Sequence, residues 1–293
     1  MNKGTHEYES DPRNKDIRIS INGEMFLRDE AKISVFDSGF LLGDGVWEGI
    51  RLHNEKLCFL EEHLTRLYDG AKSIDMKIEK TSEEMKQEIW NVLNINEMKN
   101  GVHLRLIVSR GIKATPYQDP KVTISDPTIV IIPEYKKSIS GGGLKLISVD
   151  IKRGTSETQD PRINSLSKHN CIQACIAATE AGGDEALMLD YNGNVSTCNS
   201  TNFFIVRDNE VWTSTGRYCL PGITRENVIK ICIENEIDIQ EKDFVLEDTY
   251  DADEAFVTGT FAGIITVSEI DGHEIKGDKI TSKIREMYER KLM

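Results

Sequence analysis

Apolar and polar positions change period along this chain in a way that marks out its elements. Ile17 to Ile21 alternates, Asn22-Gly23 supplies a tight turn, and Glu24 to Leu27 returns, so a hairpin is predicted. Next comes ISVFDSGFLLGDGVWEGIRLHNEKLCFL, where Gly39, Gly43, Gly45 and Gly49 stand among aromatic and β-branched residues, the pattern of a chain bending near something bulky. Trp47 to Leu52 and Lys56 to Phe59 read as strands joined across His53 to Glu55. From Leu60 the period is helical, with Leu60, Leu64, Leu67, Ala71 and Ile74 on one face, and a second helix over Ser82 to Asn94 turns Met85, Ile89, Val92 and Leu93 inward. Val102 to Ser109 alternates as a strand that places His103, Arg105 and Ile107 on one face, and Ile129 to Ile132 forms another.

The segment PEYKKSISGGG then breaks the pattern, and three consecutive glycines after a short basic run read as a linker. The expected organisation is an N-terminal arm over 1–16, a small domain over 17–133, a linker over 134–143 and a larger domain over 144–293. The second half opens with a strand over Lys145 to Ile151 and a polar loop to Ser167. A helix over Lys168 to Ala181 follows, then strands over Ala186 to Asp190, from Val195, and over Asn202 to Val206, with turns at Asn192-Gly193 and Asp208-Asn209. LPGITRENVIKICIEN reads as a helix start, Glu254 to Thr258 and Ile264 to Ile270 as strands, and Asp278 to Lys291 as a closing helix. Strand and helix alternate without a strict βαβ rhythm, so the expected fold is α+β in two domains.

Composition narrows the function classes. Of 293 residues, 39% are apolar and 29% charged, as in an ordinary globular protein, and the net charge of −13 argues against a nucleic-acid backbone as partner. The cysteines at 58, 171, 175, 198, 219 and 232 have no CxxC pair, which points to reduced thiols and a cytoplasmic setting. Cys171 and Cys175, four apart on a predicted helix, are expected to face the core. The polar start MNKGTHEYESDPRNKD and the lack of a long apolar run predict neither export nor membrane insertion.

Candidate chemistry gathers between Pro161 and Val206. There Lys168 stands between a loop and an apolar helix, a plausible covalent cofactor site. A helix beginning at Gly222-Ile223-Thr224 offers free N–H groups, the positive end of its dipole and a hydroxyl, and Gly259-Thr260 offers a second small nest, so the two together suggest one phosphate. Arg66 lies off its helix's apolar stripe, where the plain reading is a solvated arginine paired with Glu62 one turn earlier. Arg105 clamps a carboxylate or phosphate if its strand face looks into a cleft, and does nothing special if it meets solvent. The scattered histidines show no HExxH or Cys/His ligand spacing, and GxSxG, GxxxxGK[ST] and GxGxxG after a strand are all missing, so metal, hydrolase and nucleotide-triphosphate readings are disfavoured and no metal site is expected.

GDGVWEGIRLHNEKLCFLEEHLTRL, DEALMLDYNGNVS, NFFIV, LPGITRENVIK and VTGTFAGI, taken in order, resemble the class IV, fold type IV aminotransferases that use pyridoxal 5′-phosphate. That group holds branched-chain and D-amino-acid aminotransferases and aminodeoxychorismate lyases. The resemblance covers about residues 17 to 275. It implies a small N-terminal α/β domain, a larger domain with a barrel-like sheet, a homodimer, and a cofactor cleft between domains near the subunit contact. It makes Arg66 the grip on the cofactor phosphate in place of the plain reading, with Ile223, Thr224 and Thr260 on the same phosphate. Lys168 would hold the cofactor as a Schiff base and carry the α-proton, a role Lys152 sits too far upstream to fill. Trp47, His103, Arg105, Phe261 and Ala262 would meet the substrate, Arg105 at its carboxylate. Trp47 either walls the side-chain pocket or belongs to the core.

Departures from the family pattern accompany the match. From Lys168 to the DEAL strand the chain is shorter than the family's by about four residues, one helical turn. Thr197 stands where the family usually has a glutamate pairing with the pyridine nitrogen; a carboxylate keeps that nitrogen protonated, whereas a hydroxyl only hydrogen-bonds to it. Leu42 and His103 stand where branched-chain enzymes tend to carry tyrosines, and GIKATPY after Arg110 lacks the Arg-x-His trap of D-amino-acid enzymes. The leading expectation is an aminotransferase taking an amino acid or primary amine and passing its amino group to a 2-oxo acid. The alternatives are a lyase of the aminodeoxychorismate type and a cofactor-binding protein without turnover.

Overall fold

The Asn22-Gly23 turn folds as the alternation predicts. Strands β1 (Arg18–Ile21) and β2 (Glu24–Leu27) pair antiparallel with Ile21 opposite Glu24, and both turn residues take positive φ, 53° and 89°, the geometry that suits a two-residue hairpin. The computed structural model describes residues 10–137 and 142–292; residues 1–9 of the expected arm and 138–141 of the expected linker lie outside the described residues. Among the described residues no helix is long and apolar enough to cross a membrane.

The chain divides into two units. Within the described residues, the first takes 10–137 and Ile163–Lys168, the second 142–162 and 169–292. In the first, β2 is followed by α1 (Ser38–Leu42), β3 (Gly45–His53), β4 (Lys56–Leu57), α2 (Leu60–Ser73), α3 (Ser82–Ile95), β5 (Val102–Ser109) and β6 (Thr128–Tyr135). The sheet runs β2-β1-β6-β5-β3-β4. Leu64, Leu67 and Ala71 of α2 and Met85, Ile89, Val92 and Leu93 of α3 pack with Ile50, Leu52, Leu104, Leu106 and Ile131 in one buried cluster. Thr81 caps α3 reciprocally with Glu84, which sets the helix start. The glycine-rich stretch contains a short helix, α1, that its composition hides. Strand β6 runs on through Pro133 to Tyr135, past the expected end at Ile132; β1 pairs with it only at Val130 and Ile131, so no ladder bond to β1 is needed at the proline.

The second unit holds β7 (Leu144–Val149), α4 (His169–Glu180), β8 (Glu185–Leu189), β9 (Val195–Cys198), β10 (Asn202–Arg207), β11 (Glu210–Thr213), α5 (Ile223–Glu234), β12 (Ile239–Glu241), α6 (Leu246–Tyr250), β13 (Glu254–Gly259), β14 (Gly263–Ile270), β15 (His273–Glu274) and α7 (Lys279–Leu292). Its sheet runs β12-β11-β10-β13-β14-β7-β8-β9, with β15 on β14. Between β9 and β10 lie five strand spacings, about 24 Å if the sheet were flat, yet residues 199–201 alone connect them and reach at most about 14 Å. The sheet therefore curls, and Cys198 N–H donates to Thr201 O across the joint at 2.9 Å. Helix α4 packs through Ala174 and Ala178 on Ala186 and Met188. That choice of face overturns the expectation for the two helical cysteines: Cys175 is exposed, and half-buried Cys171 instead meets Arg153 Nη1 at its Sγ.

Candidate active site

Strand β3 carries the first cluster. Its successive residues Trp47 and Glu48 leave opposite faces of the sheet, and Glu48 joins Val46, Ile50 and Leu52 on the side packed against α2. Burying a carboxylate is costly unless it is paired and hydrogen-bonded. Helix α2 meets that need with two residues one turn apart: Arg66 donates Nε–H to Glu48 Oε1 at 2.8 Å and Nη2–H to Oε2 at 2.7 Å, and His63 Nδ1 donates to Oε2 at 2.7 Å. Burial pushes the Glu48 carboxyl up, but the Arg66 charge and the hydrogen bonds from His63 and Arg66 outweigh it and hold the group below its ordinary value. Arg66 is thus paired with Glu48, two-pronged and buried, where plain helical spacing suggests Glu62. His63 Nε2 is buried and has no hydrogen-bond partner among the described residues.

On the other face Trp47 gathers three of the expected residues. Arg105, on β5, lies over the indole at 3.9 Å from its centroid, and burial pushes this guanidinium's pKa down against the opposing charge of Glu134. His103, opposite Arg51 in the β3–β5 ladder, shares the face of Arg105 and is buried. Lys168 Nζ stands 5.6 Å from the Trp47 ring and donates to Asn164 Oδ1 at 3.1 Å. Lys168 immediately precedes α4, so the helix expected to begin at this residue starts one position later, at His169.

The lysine segment is held by main-chain pairing rather than by a helix. Along Gly45 to Trp47, the edge of β3 away from β5 is taken by residues 164–166: Trp47 N–H donates to Asn164 O and Leu166 N–H to Gly45 O, both at 2.9 Å, with Val46 bridging Ser165. A Cβ at Gly45 would lie 2.7 Å from Leu166 Cδ1 and 2.5 Å from Val108 O, so only glycine admits this approach. The bulky neighbour that the glycine-rich stretch implies is the lysine segment itself.

The second unit supplies a separate group. Helix α5 starts at Ile223 after Gly222, which brings no side-chain cap. Thr224 is buried, its hydroxyl 3.3 Å from Tyr288 Oη. Asn202 pins the preceding loop by donating to Leu220 O at 3.0 Å, and a Cβ at Gly222 would collide with Asn202 Oδ1. Thr197 is buried on β9 and donates its hydroxyl hydrogen to Thr201 O at 2.7 Å. Half-buried Thr260 lies in the turn between β13 and β14 with Phe261, which is buried, and Ala262, which packs on the sheet's core; a Cβ at Gly259 would touch Thr201 Cγ2, so this turn adjoins the Thr197–Asn202 corner. Beneath that corner Glu185 accepts from Ser200 Oγ at 2.6 Å and Thr201 Oγ1 at 2.7 Å, and burial pushes its carboxyl up to about 7 against those two hydroxyls. An uncapped helix start with a buried hydroxyl at its second position fits a phosphate monoester, and an amine held in place beside Trp47 fits an aldehyde.

Glu48, Asn164, Glu185 and Asn202 escape a reading by motif. The available signal is a charged or amide residue at an inward position of an alternating strand, as Glu48 is among Val46, Ile50 and Leu52. Asn164 carries no such mark, since its role comes from where the segment docks.

Residues 45–270 match the family Amino-transferase class IV. A putative branched-chain-amino-acid aminotransferase of Methanocaldococcus jannaschii is 38% identical over 93% of this chain and 95% of its own length. Branched-chain-amino-acid aminotransferase-like protein 2 of Arabidopsis thaliana is 35% identical over 95% of this chain, which spans 51% of that protein's length. Among solved structures, the branched-chain aminotransferase of the thermophilic archaeon Thermoproteus uzoniensis with norvaline superimposes with a TM-score of 0.87 at 30% identity, covering 94% of this chain and 95% of that one. The fold is therefore that of the fold type IV aminotransferases, and these relatives favour amino-group transfer over elimination or binding without turnover.

Proposed function

The chain belongs to the class IV aminotransferases, and we propose that it moves an amino group from an aliphatic, branched-chain-like amino acid to a 2-oxo acid with pyridoxal 5′-phosphate as cofactor. The observation that most supports this reading is the Lys168 amine, held at Asn164 Oδ1 beside Trp47 in a segment docked on β3. When bound, the cofactor supplies an electron sink for the charge left at the substrate Cα once its proton departs. Lys168 would hold the cofactor through its amine and, once that amine is freed, would take the proton from the substrate Cα. Arg66, kept rigid by its fork on Glu48, would hold the phosphate, a role the family resemblance also gives to Ile223, Thr224 and Thr260.

Thr197 would meet the cofactor's pyridine nitrogen. Its only hydroxyl hydrogen goes to Thr201 O, so it offers that nitrogen a lone pair and no charge. Arg105, desolvated against Trp47, takes the substrate carboxylate, because a partly buried cation gains more from a carboxylate than a solvated one. Trp47, His103, Phe261 and Ala262 line the side-chain pocket. We place the enzyme in the cytoplasm as a homodimer, which light scattering would report as twice the 33.1 kDa chain mass.

The purified protein with pyridoxal phosphate should show a visible cofactor band that L-leucine or L-valine converts and 2-oxoglutarate restores. No band, or a band that persists in Lys168→Ala, overturns the reading. Conversion by D-alanine alone would replace the branched-chain donor with a D-amino acid.

A further inference from the structure

We infer that Asn164 is a positioning residue for the Lys168 amine: its side-chain oxygen holds the amine at the spot that a lysine at position 164 would itself reach. This deepens the cofactor reading above and rests on it.

Three observations carry the inference. Asn164 is 5% exposed, and the Trp47 N–H to Asn164 O bond with the Val46–Ser165 bridge fixes its backbone against β3, so its amide is held in a defined place. In that antiparallel register Asn164 stands opposite Trp47, and residues directly opposite share a face. Lys168 starts four residues on, where the chain leaves β3 for α4, yet its Nζ returns to 3.1 Å from Asn164 Oδ1 and 5.6 Å from the Trp47 ring.

Asn164 lies four positions before Lys168. A long, flexible lysine reaching back one turn has more rotamers to lose than one growing directly from a pinned strand, and a fixed hydrogen-bond acceptor offsets that loss. The amide suits the task because it is neutral: it accepts from the amine without the fixed charge a carboxylate would add, which would favour the protonated, non-nucleophilic form.

Attachment joins the Lys168 nitrogen to the cofactor's aldehyde carbon, releases the aldehyde oxygen as water and leaves a C=N bond that borohydride reduces to a stable amine. The test uses that chemistry on the full chain with added pyridoxal phosphate, followed by peptide mass mapping. Reduction of the unchanged protein should label Lys168; if it does not, the cofactor reading itself fails. Asn164→Ala should lower the rate of labelling at Lys168 severalfold, up to about tenfold, the scale of a hydrogen bond between neutral groups, with Asn164→Gln recovering part of it. The exchanged variant N164K/K168N should be labelled at position 164, and K168N alone at neither position. Labelling of Lys168 at an unchanged rate in Asn164→Ala, or an exchanged variant that circular dichroism shows folded but that takes no label at 164, overturns the role of Asn164 while leaving the cofactor reading intact.

Discussion

Replacing Glu48 with glutamine removes one negative charge from a place with no route to water. The Glu48 side chain is 0% exposed and that of Arg66 14%, so the pair belongs with buried ion pairs, where loss of one partner costs about 3–5 kcal/mol. Exposed pairs are worth about 0–1 kcal/mol. Glutamine keeps the volume and one acceptor oxygen but turns an NH2 toward Arg66 or His63, which are both donors here. The expected loss is therefore near the lower end, about 3 kcal/mol. With a urea slope of about 2 kcal/mol/M, the midpoint should fall by about 1.5 M at neutral pH. The Glu48 carboxyl sits below its ordinary value in the fold, so its contribution is present above the ordinary carboxylate range and lost as pH falls through the depressed folded value. The gap between wild type and Glu48→Gln should accordingly close in acid. A midpoint change under about 0.5 M at neutral pH, the scale of a surface pair, would refute the claim that this fork holds α2 to β3.

Gly222→Ala should cost about 1–3 kcal/mol, the usual scale of overpacking, because the new methyl meets Asn202 Oδ1, and it should weaken cofactor binding at the α5 start; unchanged urea midpoint and cofactor affinity would remove Asn202 as the pin of that loop. For Glu185 the folded pKa of about 7 lies above the ordinary 4.5, so the native state holds its proton while the unfolded chain has released it. Stability then falls by about 3 kcal/mol as pH rises from 4.5 to 7. Glu185→Gln should flatten that slope, gaining on wild type between urea titrations at about pH 5 and about pH 8; parallel pH profiles for the two proteins would contradict the buried, protonated carboxyl.

Much of the local architecture is set by near neighbours in the chain. Asn22-Gly23 supplies the two positive φ angles its hairpin needs, Thr81 and Glu84 close a reciprocal cap three residues apart, and the stripes of α2 and α3 name their own inward residues. The start of α5 and the turn around Thr260 were legible for the same reason, since backbone donors at a helix start follow from helix geometry alone. Tertiary structure decided the rest. Arg66 has an acidic residue one helical turn away and another on β3, and only the packing of α2 on that strand makes Glu48, 18 positions away, its partner. The curl of the second sheet follows from which strands are neighbours, and the parallel pairing of β7 with β14 joins residues more than 100 apart. Lys168 was visible as a lysine before a helix, but the place of its amine was not, because that depends on residues 164–166 completing the edge of a strand some 120 positions earlier. Short-range hydrogen bonds are dictated by spacing, whereas a docked edge is dictated by whatever the rest of the chain leaves unpaired.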